Sequence, residues 1–291
     1  MHNLIIAIFC SVAVSVLLKI AHKKNIIIEQ AIAFNYIIAI SLSYFLLKPD
    51  FKGLAFTDYI IQSEHSPIFL ALGFLLPTVF IIMSKAVEYA GIVRSDAAQR
   101  LSLFLPIIAA FVIFGEQITQ SKTIGIILAF LALLCLLAKP TDAMKDNSFK
   151  AIIGLILVWF GYGIIDILFK QVAKMGGAFP TTLFIAFAIS ACVMFIYLLL
   201  KRTQWTTPSV LGGILLGALN FMNILFYIKA HQSFSSDPTL VFAGMNIGVI
   251  CFGTITGALI FKEKLSKING VGIVLGILSI ISLFYLDKLM A

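Results

Sequence analysis

Phe114-Gly115-Glu116-Gln117-Ile118-Thr119, which opens into Ile124-Gly125-Ile126-Ile127-Leu128, returns later as Phe261-Lys262-Glu263-Lys264-Leu265-Ser266, opening into Val271-Gly272-Ile273-Val274-Leu275. Glu116 falls on Glu263, Thr119 on Ser266 and Gly125 on Gly272, each 147 residues on and without a gap. A second echo lies upstream: Leu17-Leu18-Lys19, with Lys23, returns as Leu168-Phe169-Lys170, with Lys174, at a shift of 151. Both shifts are close to half of the 291-residue chain, so it reads as a duplicated unit, residues 1–140 followed by residues 141–291. In a membrane protein, internal duplication is the mark of a carrier that moves one half against the other.

Composition places the chain in a membrane. Hydrophobic residues make up 61%, charged residues 12%, and the mean hydropathy is +1.07, all far from soluble averages. Twenty-six phenylalanines suit lipid-facing helices better than a soluble core. Cys10, Cys135, Cys192 and Cys251 sit in apolar runs without pair spacing, as small packing residues do. The net charge of +8 is scattered along breaks between apolar runs, which fits lipid headgroups as partner and excludes nucleic acid. The first run, Leu4 to Leu18, lacks the basic start and small-residue exit of a cleaved signal.

A helical span needs about 20 apolar residues. Ten spans are expected: 3–20, 27–47, 67–88, 92–114, 124–138, 151–170, 181–200, 210–230, 240–261 and 271–286. The long break at 51–66 mixes Asp58, Glu64 and His65 with Phe56, Tyr59 and Ile61, as a segment lying on the membrane surface does. The segment 139–147 is the joint between halves. Five spans per half is odd, so the second copy enters the membrane from the opposite side. The expected fold is therefore an all-α integral membrane protein of ten transmembrane helices, built as two inverted five-helix repeats. Such repeats place a binding site at mid-membrane, where the halves meet. Loops after odd-numbered spans carry 14 Lys and Arg against 7 on the other side, which by the positive-inside rule puts the termini outside.

Each half ends on the same phrase: a helix, an apolar-x-Glu-x-apolar-Thr/Ser turn, then a Gly-opened helix. The first copy adds Leu105-Pro106 before Glu116; the second has Gly253 in place of Pro106. In this the chain resembles the drug/metabolite transporter superfamily, in its ten-helix EamA-type branch, over nearly its whole length. The resemblance implies a five-plus-five inverted bundle, a central cavity and alternating-access transport of small metabolites. It also implies cytoplasmic termini, opposite to the charge count. The four-helix small multidrug resistance relatives carry a proton-binding glutamate in their first helix, two turns before a lysine like Lys19. That position is Ser11 here, and Tyr162 in the second copy, so coupling by that glutamate is disfavoured.

Charge inside a bilayer needs a reason. Asp166 reads either as a cavity carboxylate, for a cationic group or a proton, or as the structural partner of Lys170 at i+4. Arg100 reads as a fork for a substrate carboxylate or phosphate, or as the ion-pair partner of Asp96 at i−4. Asn220 and Asn223 share a helix face, and with Asn35, Tyr36 and Asn246 they read as substrate-contacting groups or as interhelical glue. Trp159, Phe160 and Tyr162 read either as rings that stack on a substrate or as lipid and packing contacts; Tyr162 joins the substrate candidates. Pro77 and Pro106 are expected to interrupt their helices and to serve as hinges or cavity walls. Glu116 and Glu263 sit at helix ends and read as structural, capping the next helix near Thr119 and Ser266.

Catalysis, metal and cofactor all lack residues to carry them. His2, His22, His65 and His231 form no metal spacing, and no Gly-rich phosphate loop with a lysine is present. The expected function is a secondary carrier for a small polar metabolite, in a bacterial cytoplasmic membrane. A lipid-linked precursor flippase on the same fold, or a non-transporting receptor or assembly factor, are the alternatives. Substrate, direction and coupling ion are left open.

Overall fold

The helices follow the apolar runs closely. A computed structural model describes residues 1–23, 26–137, 149–262 and 266–286, and among them every regular element is helical. The elements are α1 (His2–Lys23), α2 (Ile28–Leu42, prolonged by a π turn over Ser43–Leu47), α3 (Phe56–Gln62), α4 (Ser66–Ala90), α5 (Ile92–Leu101) and α6 (Phe104–Val112). They continue with α7 (Gln120–Leu137), α8 (Phe149–Lys174), α9 (Phe179–Leu200), α10 (Thr207–Ser233), α11 (Pro238–Phe261) and α12 (Lys267–Ile281, prolonged by a π turn over Ser282–Leu286). Taking α5 and α6 as one span, ten helices are long and apolar enough to cross a membrane. The joint at 139–147 and Glu263 lie outside the described residues.

α7 and α12 start four residues earlier than the hydropathy does (120 against 124, 267 against 271), because their first turns are polar and capped. Ser266 accepts from the Asn269 backbone N–H, and the Asn269 side chain returns the bond to the Ser266 backbone. Thr119 accepts from the Lys122 N–H at the start of α7. The expected surface segment holds α3, with Tyr59 buried and Ile61 78% exposed.

Packing is close because small residues stand at the crossings. A Cβ on Gly73 (α4) would come 2.7 Å from Ile189 Cβ and 3.3 Å from the Ala186 carbonyl of α9. A Cβ on Gly217 (α10) would come 2.7 Å from Ile38 Cβ and 2.8 Å from the Asn35 carbonyl of α2. The α7–α12 pair behaves alike: Gly125 lies against Leu283, and Gly272 against Leu136. Ser279 and Ser282 donate across that seam to the Gly125 and Ser121 carbonyls, and Asn269 to those of Cys135 and Leu136.

Polar contacts tie both ends of the bundle. At the end that carries the N terminus, Asn3 donates to Ser233 and Thr181 to the Asp50 carbonyl. At the opposite end Lys201 pairs with Glu29 at 2.7 Å, and Gln30 donates to Thr203 and to the Gln204 carbonyl. The lysine lies beyond α9, and its hydrogen bond to Glu29 pushes its pKa above the usual range.

The two prolines behave differently from one another. Pro106 has no N–H to give the Ser102 carbonyl, so Leu105 N–H turns to Ser102 instead, at 3.0 Å. That leaves the Leu101 carbonyl without its helical donor. Trp159 Nε1 of α8 takes it at 3.0 Å. The fourth span breaks there, at Ser102-Leu103, one turn before the proline. Pro77 does not interrupt its helix: α4 runs unbroken from Ser66 to Ala90. The carbonyl it frees, that of Gly73, accepts the Ser190 hydroxyl of α9 at 3.0 Å, and this interhelical bond replaces the missing internal one.

Candidate functional site

The break after Leu101 sets the place of Arg100. Arg100 lies in the last turn of α5, just before the chain bends, with Nε 3.5 Å from Asp96 Oδ1. The contact is one of charges without a hydrogen bond at Nε, so Asp96 offsets the guanidinium without engaging that donor. The Arg100 side chain is 16% exposed and the Asp96 side chain 42%. In a span this apolar, such exposure means that both look onto space between helices or onto a bundle end.

Helix α8 carries the facing groups. Its exposed residues, Ile152, Ile153, Ile156, Leu157 and Phe160, form one stripe. At about 100° per residue, Tyr162 stands opposite that stripe and Asp166 stands beside Tyr162, toward the bundle. Both are nonetheless only half-buried. Tyr162 lies within electrostatic reach of Arg100, Asp96 and Asp166, and Tyr36 of α2 lies within reach of Tyr162. The Tyr36 hydroxyl is buried without a hydrogen-bond partner among the described residues.

Asp166 does not pair with Lys170. It accepts a hydrogen bond from the Tyr227 hydroxyl of α10 at 3.2 Å, and among the described residues it makes no ion pair. Lys170 is 1% exposed and turns away, donating to the Ser235 carbonyl at 3.0 Å and the His231 carbonyl at 3.5 Å. Those carbonyls lie at the C-terminal end of α10, where a cation is favoured. Tyr227 was not among the expected site residues and has no sequence signal beyond lying one face-turn from a polar neighbour; Lys170, marked by the upstream echo and expected as a possible partner of Asp166, bonds to α10 carbonyls instead.

The amides divide. Asn220 Nδ2 donates to Asn35 Oδ1 at 3.1 Å, so α10 and α2 are joined by an amide pair. Asn246 Nδ2 returns to the Phe242 carbonyl of its own helix at 3.1 Å. Asn223 keeps a buried Oδ1 without a partner. Asn220, Asn35 and Asn246 each have one bond fixed within the bundle, while Asn223 keeps a buried acceptor open.

Glu116 is structural, although it does not cap the helix that follows it. Its Oε2 accepts from the Thr239 N–H at 2.9 Å, capping α11, while Lys122 Nζ lies 3.0 Å from Oε1 and 2.6 Å from Asp237 Oδ1. Thr119 caps α7 instead. The Glu116 side chain has no exposure, so Lys122 is the charge that makes its burial tolerable. Asp237 lies outside the spans. Partial burial alone would raise its pKa, but the Lys122 and Ser236 hydrogen bonds hold it below the usual carboxylate value.

Among the described residues no group of His, Cys, Asp and Glu has the geometry to hold a metal ion. Comparison with protein-family models returns no match. An uncharacterized protein of Haemophilus influenzae (strain ATCC 51907 / DSM 11121 / KW20 / Rd) is 76% identical over 291 residues, covering the whole of both chains. One solved crystal structure of a protein superposes with a TM-score of 0.72 at 12% identity, covering 99% of this chain and 98% of that one. At that identity the likeness is one of fold alone.

Proposed function

The chain belongs to one family with the Haemophilus protein, and on the geometry above we propose that it is a secondary transporter, carrying a small polar metabolite across a bacterial cytoplasmic membrane by alternating access. One observation carries the reading: the same helix crossing is used twice, in opposite directions, around an inward polar cluster. Gly73 meets Ile189 and Ala186; Gly217 meets Ile38 and Asn35. Ile38 and Asn35 stand 151 residues before Ile189 and Ala186, which is the shift of the upstream sequence echo. Gly125 against Leu283 and Gly272 against Leu136 are likewise one contact seen from both partners, at the shift of 147. Reciprocal contacts of this kind are what a two-fold axis produces. Because α7 and α12 run antiparallel, that axis lies in the membrane plane, as in inverted-repeat carriers.

The polar cluster departs from the symmetry. Arg100 falls on Ile247 and Asp166 on Ser15, so each half contributes a charged group that its copy lacks. Arg100, Tyr162, Asp166, Tyr36 and Asn223 present donors and acceptors of both signs to the interior. A substrate with polar groups at more than one position can be held there between halves, and its release requires the halves to move. Exposed apolar stripes such as that of α8 face lipid.

A thermal-shift screen of the purified protein against fractionated bacterial metabolites tests the binding half of this reading. Binding stabilises the folded state by mass action, so one fraction raises the unfolding temperature, and Arg100→Ala and Asp166→Asn abolish that rise. A rise that survives both substitutions places the site elsewhere.

A further inference from the structure

Asp166 does not stand alone. Tyr227, which donates to it, lies one turn before His231 on α10, and the two rings are 4.8 Å apart between centroids. His231 is fully buried, and neither ring nitrogen has a hydrogen-bond partner among the described residues. Its other face meets Phe242 of α11 at 4.6 Å. An imidazole packed between aromatic rings contributes no more to packing than a phenyl group there, and burying two unpaired nitrogens is costly. His231 lies between Asp166 and the bundle end that holds Ser233 and Ser235. Intramembrane carboxylates and histidines are the parts from which proton relays are built, and here Tyr227 stands in contact with both Asp166 and His231.

The charged and titratable groups around this line are few. From α5, Arg100 lies within electrostatic reach of Asp166, and Asp96 accompanies it. From α8 itself come Tyr162 and Lys170, with Lys174 near Lys170; Glu116 and Asp237 also act on Lys170. From α10 come Tyr227 and His231. Of the other helices packed against α8 and α10, α4 carries Lys85, Glu88 and Tyr89 at the distant end, level with Gly154; α2 carries Glu29 at that end and Tyr36 beside Tyr162; α1 carries Lys19 at that end, over the Phe261 ring, and His2 next to Asn3, which bonds Ser233. Among the described residues no cation neutralises Asp166 by contact and no carboxylate engages His231, while the Lys170 charge lies within electrostatic reach of His231.

We propose that transport by this chain is coupled to protons, with Asp166 as the central proton site and His231 as the station between it and the end of the bundle at Ser233. The step is a simple transfer. A proton from the aqueous side joins a free His231 nitrogen, leaves it, and is bound by a carboxylate oxygen of Asp166; no other bond changes. Tyr227 positions the carboxyl group for the exchange. The proposal rests on the transport reading above.

The test uses full-length protein in proteoliposomes, a uniformly ¹³C-labelled bacterial metabolite extract as probe, and mass spectrometry of trapped solutes. With a transmembrane pH difference of about one unit, the wild type accumulates its solute up to about tenfold over equilibrium in one direction of the gradient. A protonophore removes the accumulation and leaves equilibration intact. His231→Phe, which keeps the ring and removes the nitrogens, equilibrates the same solute without accumulating it; Tyr227→Phe accumulates less than the wild type. Equilibration without accumulation in the wild type, under either sign of gradient, overturns proton coupling while leaving transport standing. Undiminished accumulation by His231→Phe overturns the histidine's part. Failure of any solute to enter overturns both readings.

Discussion

Ser190 shows how a single hydroxyl can replace a backbone bond. Its donation to the Gly73 carbonyl exists because Pro77 has no N–H to offer. Ser190→Ala should therefore cost about 1 kcal/mol of stability, as loss of one buried hydrogen bond does. In a Pro77→Ala background, where the helix can satisfy that carbonyl itself, the same change should cost almost nothing. Thermal unfolding of the four proteins in detergent measures the coupling, and equal costs in both backgrounds contradict it. Arg100 invites a second substitution. If its planar fork contacts substrate, Arg100→Lys keeps the charge and still lowers uptake by about tenfold or more. Normal uptake by that variant removes Arg100 from the site. Arg100 was legible as a candidate because charge in an apolar run stands out. Tyr227 was not, since a tyrosine among apolar residues is ordinary until a carboxylate is found beside it.

At the scale of elements, Glu116, Lys122, Asp237 and Thr239 link the end of α6 to α7 and α11 through a buried charge group. Lys122→Met leaves Glu116 buried without a counter-charge and should destabilise the protein by about 3 kcal/mol, whereas Glu116→Gln, which removes the charge together with the need for it, should cost less. The order of the two unfolding temperatures decides this. Asp237 adds a pH dependence with a definite sign. Its folded pKa lies below the ordinary 3.8. Its contribution is thus fully present above that value and is lost as the pH falls through the folded pKa. Asp237→Asn should flatten the acid limb of the stability curve and leave the neutral region parallel to the wild type. Glu116 was read from the sequence as a structural group capping the helix that follows it; it accepts from the start of α11 instead. Its partner was not readable, because Thr239 stands 123 residues away, and only the fold shows that α11 starts beside Glu116.

For the whole molecule, the ten spans were legible because apolar length is a one-dimensional property. The interruption at Pro106 was legible too, from its missing N–H, but the Trp159 indole that takes the freed Leu101 carbonyl was not, because it reaches in from another helix. The duplicated phrase proved most useful as a ruler. It matches Gly125 with Gly272 and Leu136 with Leu283, and across one seam Gly125 touches Leu283 while Gly272 touches Leu136. It also shows where the halves differ, at Arg100 and Asp166, and the account assigns function to those departures. The most direct measurement is uptake of the ¹³C-labelled extract by proteoliposomes without a gradient. The account predicts entry of one class of polar solute, saturating with concentration, and at least about tenfold slower with Arg100→Ala or Asp166→Asn, both variants remaining folded. Entry of no solute above protein-free vesicles would contradict it.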